Sequence, residues 1–147
     1  MKKYLLTFVI SSLLISCSEN KGKSGTQNIP DDELHEWIKE FVIEFNKDTP
    51  RNIDENTVLV THRWSTQNKR RIIYVLKLPN IDKNRFTVEE IQEFKELTRE
   101  SNKNFYCTQP VTEPLRDFNS DVEYNYSDSK NIFLFSNVIY PSDCTQP

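Results

Sequence analysis

The side chains able to do chemistry are few: three cysteines and two histidines in 147 residues. Hydrolytic chemistry needs a nucleophile, a base and an orienting group converging in one cleft. No serine here sits in a nucleophile-elbow pattern. His35 lies four residues from both Asp31 and Lys39 on an expected helix, where an exposed imidazole among charged neighbours accounts for it. His62 shares a face of an expected strand with Val60 and Trp64, and a partly buried, hydrogen-bonded side chain accounts for it. The catalytic expectation is therefore none. A hydrolase or small-ligand binder with a pocket around His62 and Trp64 is the alternative. Neither histidine stands at ligand spacing from another donor. Asp117, Asp121 and Glu123 lack the glycine turn of a calcium loop, so neither metal nor cofactor is expected.

Cys17 has a different setting. Lys2 and Lys3 precede an uncharged, mostly apolar run from Tyr4 to Ile15. Twelve residues are too few to span a bilayer, which takes roughly 20 in a helix. They suit a secretory signal instead. The run closes Leu14, Ile15, Ser16, Cys17, which resembles the bacterial lipobox. That resemblance implies a diacylglyceryl group on the Cys17 thiol, cleavage after Ser16 and acylation of the new amino terminus. Several acyl chains hold a protein on a membrane without its spanning it. Ser18, where an aspartate would signal inner-membrane retention, implies the periplasmic face of the outer membrane.

Boundaries follow: a lipoprotein signal peptide over 1–16, the lipidated cysteine and a flexible linker over 17–29, and one α+β domain over 30–147. Both glycines, Gly22 and Gly25, fall in the polar linker. Losing Lys2 and Lys3 makes a formal charge of −3 two units more negative. A mildly acidic exported domain without a basic recognition motif is not a nucleic-acid binder. Cys107 and Cys144 remain, and in an oxidising compartment a disulfide is their default.

The elements are legible from periodicity. Leu34, Trp37, Ile38, Phe41, Val42 and Phe45 repeat at helical spacing behind Pro30 and three carboxylates. Thr57 to Trp64 and Arg70 to Leu78 read as an antiparallel hairpin, with Val58, Val60, His62 and Trp64 on one face. Thr87 and Glu90 form a capping-box pattern opening a second helix to about Asn102, which should bury Ile91, Phe94, Leu97 and Thr98. Cys107 is expected just beyond its end. A short third helix fits between Gln109 and Asn119, with Pro114 limiting its length. A second hairpin pairs Val122 to Tyr126 with Ile132 to Tyr140. The expected fold is a two-layer α+β domain, with an antiparallel sheet of about four strands and two long helices and one short on one face.

Two charged surfaces are candidates for a partner: Glu36, Glu40 and Glu44 along the first helix, and Arg63, Lys69, Arg70 and Arg71 around the first hairpin turn. The bland account of each is solvation. Tyr124, Tyr126, Phe133 and Phe135 could line a groove, although their alternation also suits core packing.

Phe45, Asn46, Pro50, Asp54, Asn56, Thr57, Leu59, Cys107, Pro110, Arg116, Tyr124, Tyr126 and the ending Pro141, Ser142, Asp143, Cys144 carry a resemblance. The chain resembles a group of small exported bacterial α+β domains of uncharacterised function, which have a similar central cysteine and terminal Asp-Cys. Asn119 stands where a glycine suits the turn after the short helix. A looser likeness, of architecture and location, is to lipoprotein pilotins of type II secretion. The lipobox-like tether, the polar spacer and the missing active site together point to a lipid-anchored, non-enzymatic module that binds another envelope protein, as an assembly factor, accessory subunit or pilotin-like escort. An inhibitor or immunity-type lipoprotein is a further alternative.

Overall fold

A computed structural model of the chain describes residues 30–144, so Cys17 and the expected signal peptide and linker lie outside the described residues. Its elements in order are α1 (Asp31–Phe45), β1 (Arg51–Asn52), β2 (Val58–Trp64), β3 (Arg71–Lys77), α2 (Val88–Thr108), α3 (Glu113–Asp117), β4 (Asp121–Ser127) and β5 (Phe133–Ile139).

α1 follows Pro30 with Asp31, Asp32 and Glu33 in its first turn, and buries Leu34, Ile38 and Val42 one turn apart. α2 begins with the capping box: Thr87 Oγ1 accepts from the Glu90 amide, and the Glu90 carboxylate accepts from the Thr87 amide. It runs further than its apolar pattern indicated, so Cys107 lies inside its last turn. Leu97, expected in the core, is 67% exposed, and the buried residues of α2 are Asn102 and Tyr106. The inner stripe of this helix is thus partly polar.

The sheet corrects the expected topology. It has five strands in the order β1-β2-β3-β4-β5, and β3 pairs with β4 in parallel. α2 is the reason. Twenty-one helical residues cover about 32 Å, enough to carry the chain back past a seven-residue strand of about 23 Å. β4 therefore starts beside the start of β3, Asp121 opposite Arg71, and the two hairpins join through a crossover. The short fifth strand, β1, pairs Arg51 and Asn52 with Leu59 and Val58.

Register places three rows on the inner face: Leu59, Leu76, Tyr126 and Phe135; His62, Tyr74, Tyr124 and Asn137; Ile72, Val122 and Ile139. A shift between Leu59 and Thr61 puts Leu59 and His62 on the same side, which breaks the simple alternation of β2. α1 meets this face through Phe45 on His62 (ring centroids 5.8 Å), and α2 through Phe94 on Phe135 (5.8 Å). Both long helices therefore share one face, α1 over β2 and α2 over β5.

Two turns without glycine are explained by asparagine. After α3, Asn119 takes φ 53°, the Ser120 amide donates to Leu115 O (2.8 Å) and the Asn119 amide to Arg116 O (3.0 Å), a Schellman closure. Between β4 and β5, Asn131 takes φ 63° while buried Asp128 accepts from the amides of Lys130, Ile132 and Lys83. Burial alone would raise the Asp128 carboxyl, but those amides hold it below the usual carboxylate range.

Cys107 and Cys144 are bonded, tying the end of α2 to the last turn, Pro141–Cys144. Tyr106, fully buried beside Cys107, donates from its hydroxyl to Ser120 O (2.7 Å). Its carbonyl accepts from Thr112 Oγ1 (2.7 Å) and from the Arg116 guanidinium.

Candidate functional site

α2 and the segment 51–57 stand on either side of the middle of the inner face. A groove of about 960 Å³ opens there. Its floor is Leu59, Tyr74, Leu76, Tyr124 and Tyr126. One wall is α2, through Phe94, Thr98, Ser101, Asn102 and Phe105. The other is β1 with the loop that follows it, residues 51–57. Ile53 on that loop and Phe105 on α2 are exposed by 55% and 41%, so the rim is apolar. The loop is closed on itself: the Ile53 and Asp54 amides donate to Thr57 O, and the Asn56 amide to Asp54 Oδ1 (2.7 Å).

The three tyrosines stay neutral. Burial pushes the Tyr74 hydroxyl up to about 12 and that of Tyr124 higher still. Burial also raises Tyr126, against the opposing pull of its hydrogen bond to Asn102 Oδ1 (2.9 Å). At the mouth stand one cation, Arg51, and two carboxylates, Asp54 and Glu55.

The sequence-expected pocket at His62 and Trp64 is displaced. His62, 2% exposed, lies edge-on to Tyr74 (4.5 Å) and Phe45 and is absent from the groove lining, as is Trp64. Burial, helped by the Arg51 cation, pulls the His62 pKa down to about 4, so the ring is neutral at physiological pH. His35 is elsewhere, its Nδ1 3.3 Å from Lys69 O. Among the described residues no three of His, Cys, Asp and Glu converge as metal ligands, and no helix is long and apolar enough to cross a membrane.

The charged candidates are largely engaged within the domain. Lys69 pairs with Asp32 (2.5 Å) and Arg70 with Asp31 (2.7 Å), joining the hairpin tip to the start of α1. Arg71 reaches Glu123 (3.2 Å) and Asp121 (3.4 Å), and Arg63 is exposed. Glu36 and Glu44 pair with Lys39 and Lys47, while Glu40 points to solvent. Phe135 packs under Phe94 and Phe133 is exposed, so of the four aromatics Tyr124 and Tyr126 line the groove.

Side chains also take backbone groups of β2, past the two residues that β1 covers, and of the edge strand β5. Asn46 acts as a one-residue strand against β2: its Oδ1 accepts from the His62 amide (2.6 Å), its Nδ2 donates to His62 O (2.9 Å), and Oδ1 faces His62 Nδ1 (3.1 Å). On β5, Arg99 donates to Val138 O and Lys83 to Phe133 O, both at 2.9 Å. Such cover blunts an edge against strand addition. Asn46→Ala should cost about 2 kcal/mol in urea denaturation, because it strands the His62 amide and imidazole and leaves the His62 carbonyl only the Thr61 hydroxyl (3.2 Å). A loss below about 0.5 kcal/mol would show that the clasp is incidental.

Sequence reasoning did not find Ile53, Ser101, Asn102 or Phe105. For Asn102 a signal existed: it follows Phe94 and Thr98 at four-residue spacing, a polar member of the inner stripe. The loop wall had none.

A meander of strands broken by one helical crossover, with both long helices on one face, defines the fold class, and solved structures share it. A protein of Pseudomonas aeruginosa described as secreted superposes with a TM-score of 0.63 at 16% identity, over 78% of this chain and 95% of its own. The type 2 secretion pilotin EpsS of Vibrio vulnificus gives 0.60 at 11%, over 80% and 96%. The type II secretion pilotin AspS of Vibrio cholerae gives 0.57 at 7%, over 78% and 94%. At these identities the likeness is one of fold. No family model and no curated protein matches the chain.

Proposed function

We propose that this protein is a lipid-anchored accessory of the cell envelope, held by acylated Cys17 at the periplasmic face of the outer membrane, whose groove receives an amphipathic helix of an envelope protein. The observation that carries the reading is a tyrosine-floored, largely apolar groove walled along its length by α2, in a sheet where side chains already take backbone groups of β2 past β1 and of β5. An extended peptide would need free strand edges for its backbone, whereas a helix satisfies its own and needs only side-chain contact. The α2 wall from Phe94 to Phe105 is about 17 Å long, matching three helical turns. Two carboxylates against one arginine at the mouth favour a basic flank on the incoming helix. That two pilotins share this fold supports a pilotin-like role in secretion. With Cys17 acylated, residues 17–29 serve as a polar tether that raises the effective concentration of membrane neighbours.

The test is photocrosslinking in intact cells of the full-length protein, with the photoreactive residue at Ile53 or Phe105. One envelope protein should be captured, and the crosslinked peptide should map to an amphipathic helix. Capture instead from Glu40 or Arg63 would move the binding surface to the acidic ridge or the hairpin tip and defeat the groove. Cys17→Ala should shift the protein from the membrane to the soluble fraction; continued membrane association would reject the anchor.

A further inference from the structure

A buried polar atom without a partner is costly, and native folds tolerate few. Two belong to residues that line the groove: Tyr124 Oη and Asn102 Nδ2 have no hydrogen-bond partner in the protein. Both residues are more than nine-tenths buried, Tyr124 at 4% exposed and Asn102 at 8%. Other unpartnered atoms, such as Ser120 Oγ and Asn137 Oδ1, belong to residues outside the groove lining. Asn102 is held half-satisfied. Its Oδ1 accepts from Tyr126 Oη, which leaves the amide hydrogens as the unused side of the group.

We propose that Tyr124 and Asn102 set the specificity of the groove: they select an occupant that carries a neutral hydrogen-bond acceptor, an amide or hydroxyl side chain, in the middle of its apolar face. The inference rests on the helix-docking reading and deepens it. Neither donor atom has exposed surface in the free protein, so an occupant meets them where its acceptor presses between the side chains over the floor; the phenol hydrogen then turns about its C–O bond to the acceptor, while Asn102 offers its amide hydrogens with Oδ1 still held by Tyr126. A carboxylate is the wrong acceptor, because it would be buried beneath a mouth holding Asp54 and Glu55. A wholly aliphatic face leaves both donors unpaired, as they are without it.

The probes are two synthetic 14-residue helices of leucine and lysine, alike except that one leucine at the centre of the apolar face is glutamine in the second. Binding to the mature chain carrying Cys17→Ser is read by fluorescence anisotropy. The glutamine peptide should bind at least tenfold tighter. Tyr124→Phe should shrink that preference, and so should Asn102→Leu combined with Tyr126→Phe, which removes the amide together with the hydroxyl that uses it. In the free protein Tyr124→Phe should raise the melting temperature by roughly 4 °C, since it deletes an unpaired buried hydroxyl. Loss of binding preference with gain of stability separates recognition from scaffolding. Equal affinity for both peptides, or a falling melting temperature in Tyr124→Phe, overturns the proposal and leaves helix docking standing. Binding of neither peptide overturns the helical occupant and this selectivity with it.

Discussion

Replacing Cys107 and Cys144 together by serine should lower the unfolding free energy by about 4 kcal/mol. The bond closes a loop of 37 residues in sequence separation, and releasing it restores the conformational entropy of that segment to the unfolded chain. For a domain of this size such a loss is a large share of the total. The effect should be global, because the bond closes the end of α2 onto the turn after β5 while Tyr106 next to it joins α2 to Ser120. The C-terminal turn keeps other holds: Asp143 accepts from the Tyr140 amide (2.9 Å) and pairs with Arg99 (3.5 Å). Guanidinium denaturation of wild type and double variant is the measurement, and the variant should also show a steeper denaturant dependence as its unfolded chain expands. A loss under about 1 kcal/mol would mean that those contacts, rather than the crosslink, hold the C-terminal turn.

Acidification should destabilise the protein before its carboxylates begin to protonate, with His62 responsible. Its pKa falls from 6.5 to about 4 on folding, because the ring is buried and Arg51 opposes a second positive charge. The unfolded chain takes up a proton near pH 6.5 while the folded one refuses it until about pH 4. Stability is therefore complete above pH 6.5, declines by up to about 1.4 kcal/mol per pH unit below it, and levels off near pH 4 after losing about 3 kcal/mol. Asp32 and Glu36 are held below the usual carboxylate range by Lys69 and Lys39, and Asp82 by Lys130, so their contributions fade at lower pH. Urea titrations between pH 7 and 5 in a His35→Gln background isolate the effect. His62→Phe should flatten the slope, since phenylalanine can fill the space between Phe45 and Tyr74 without titrating. An unchanged slope would assign the acid sensitivity to another group.

α1 and the start of α2 were readable because their signals are local. Leu34, Ile38 and Val42 repeat each turn, and Thr87 with Glu90 is a cap that three neighbouring residues complete. The asparagine turns were half readable: Asn119 was flagged as an awkward substitute for glycine, and it adopts the left-handed conformation that the position demands. The parallel β3–β4 pair was not readable, since its direction depends on how far α2 runs beyond its apolar pattern. Leu97 was placed in the core by spacing alone and is exposed, while Asn102 is buried because Tyr126 across the layer supplies a donor.

By itself the sequence determined the α+β class and the pairing of Cys107 with Cys144. These are matters of composition, of period, and of residues adjacent in the chain. Tertiary structure alone decided the groove. Its floor comes from β2, β3 and β4, its walls from α2 and from β1 with the loop that follows it, and its clearance from the separation of α2 from that segment. A cavity is a property of distances between segments far apart in the chain, and no local pattern encodes such a distance.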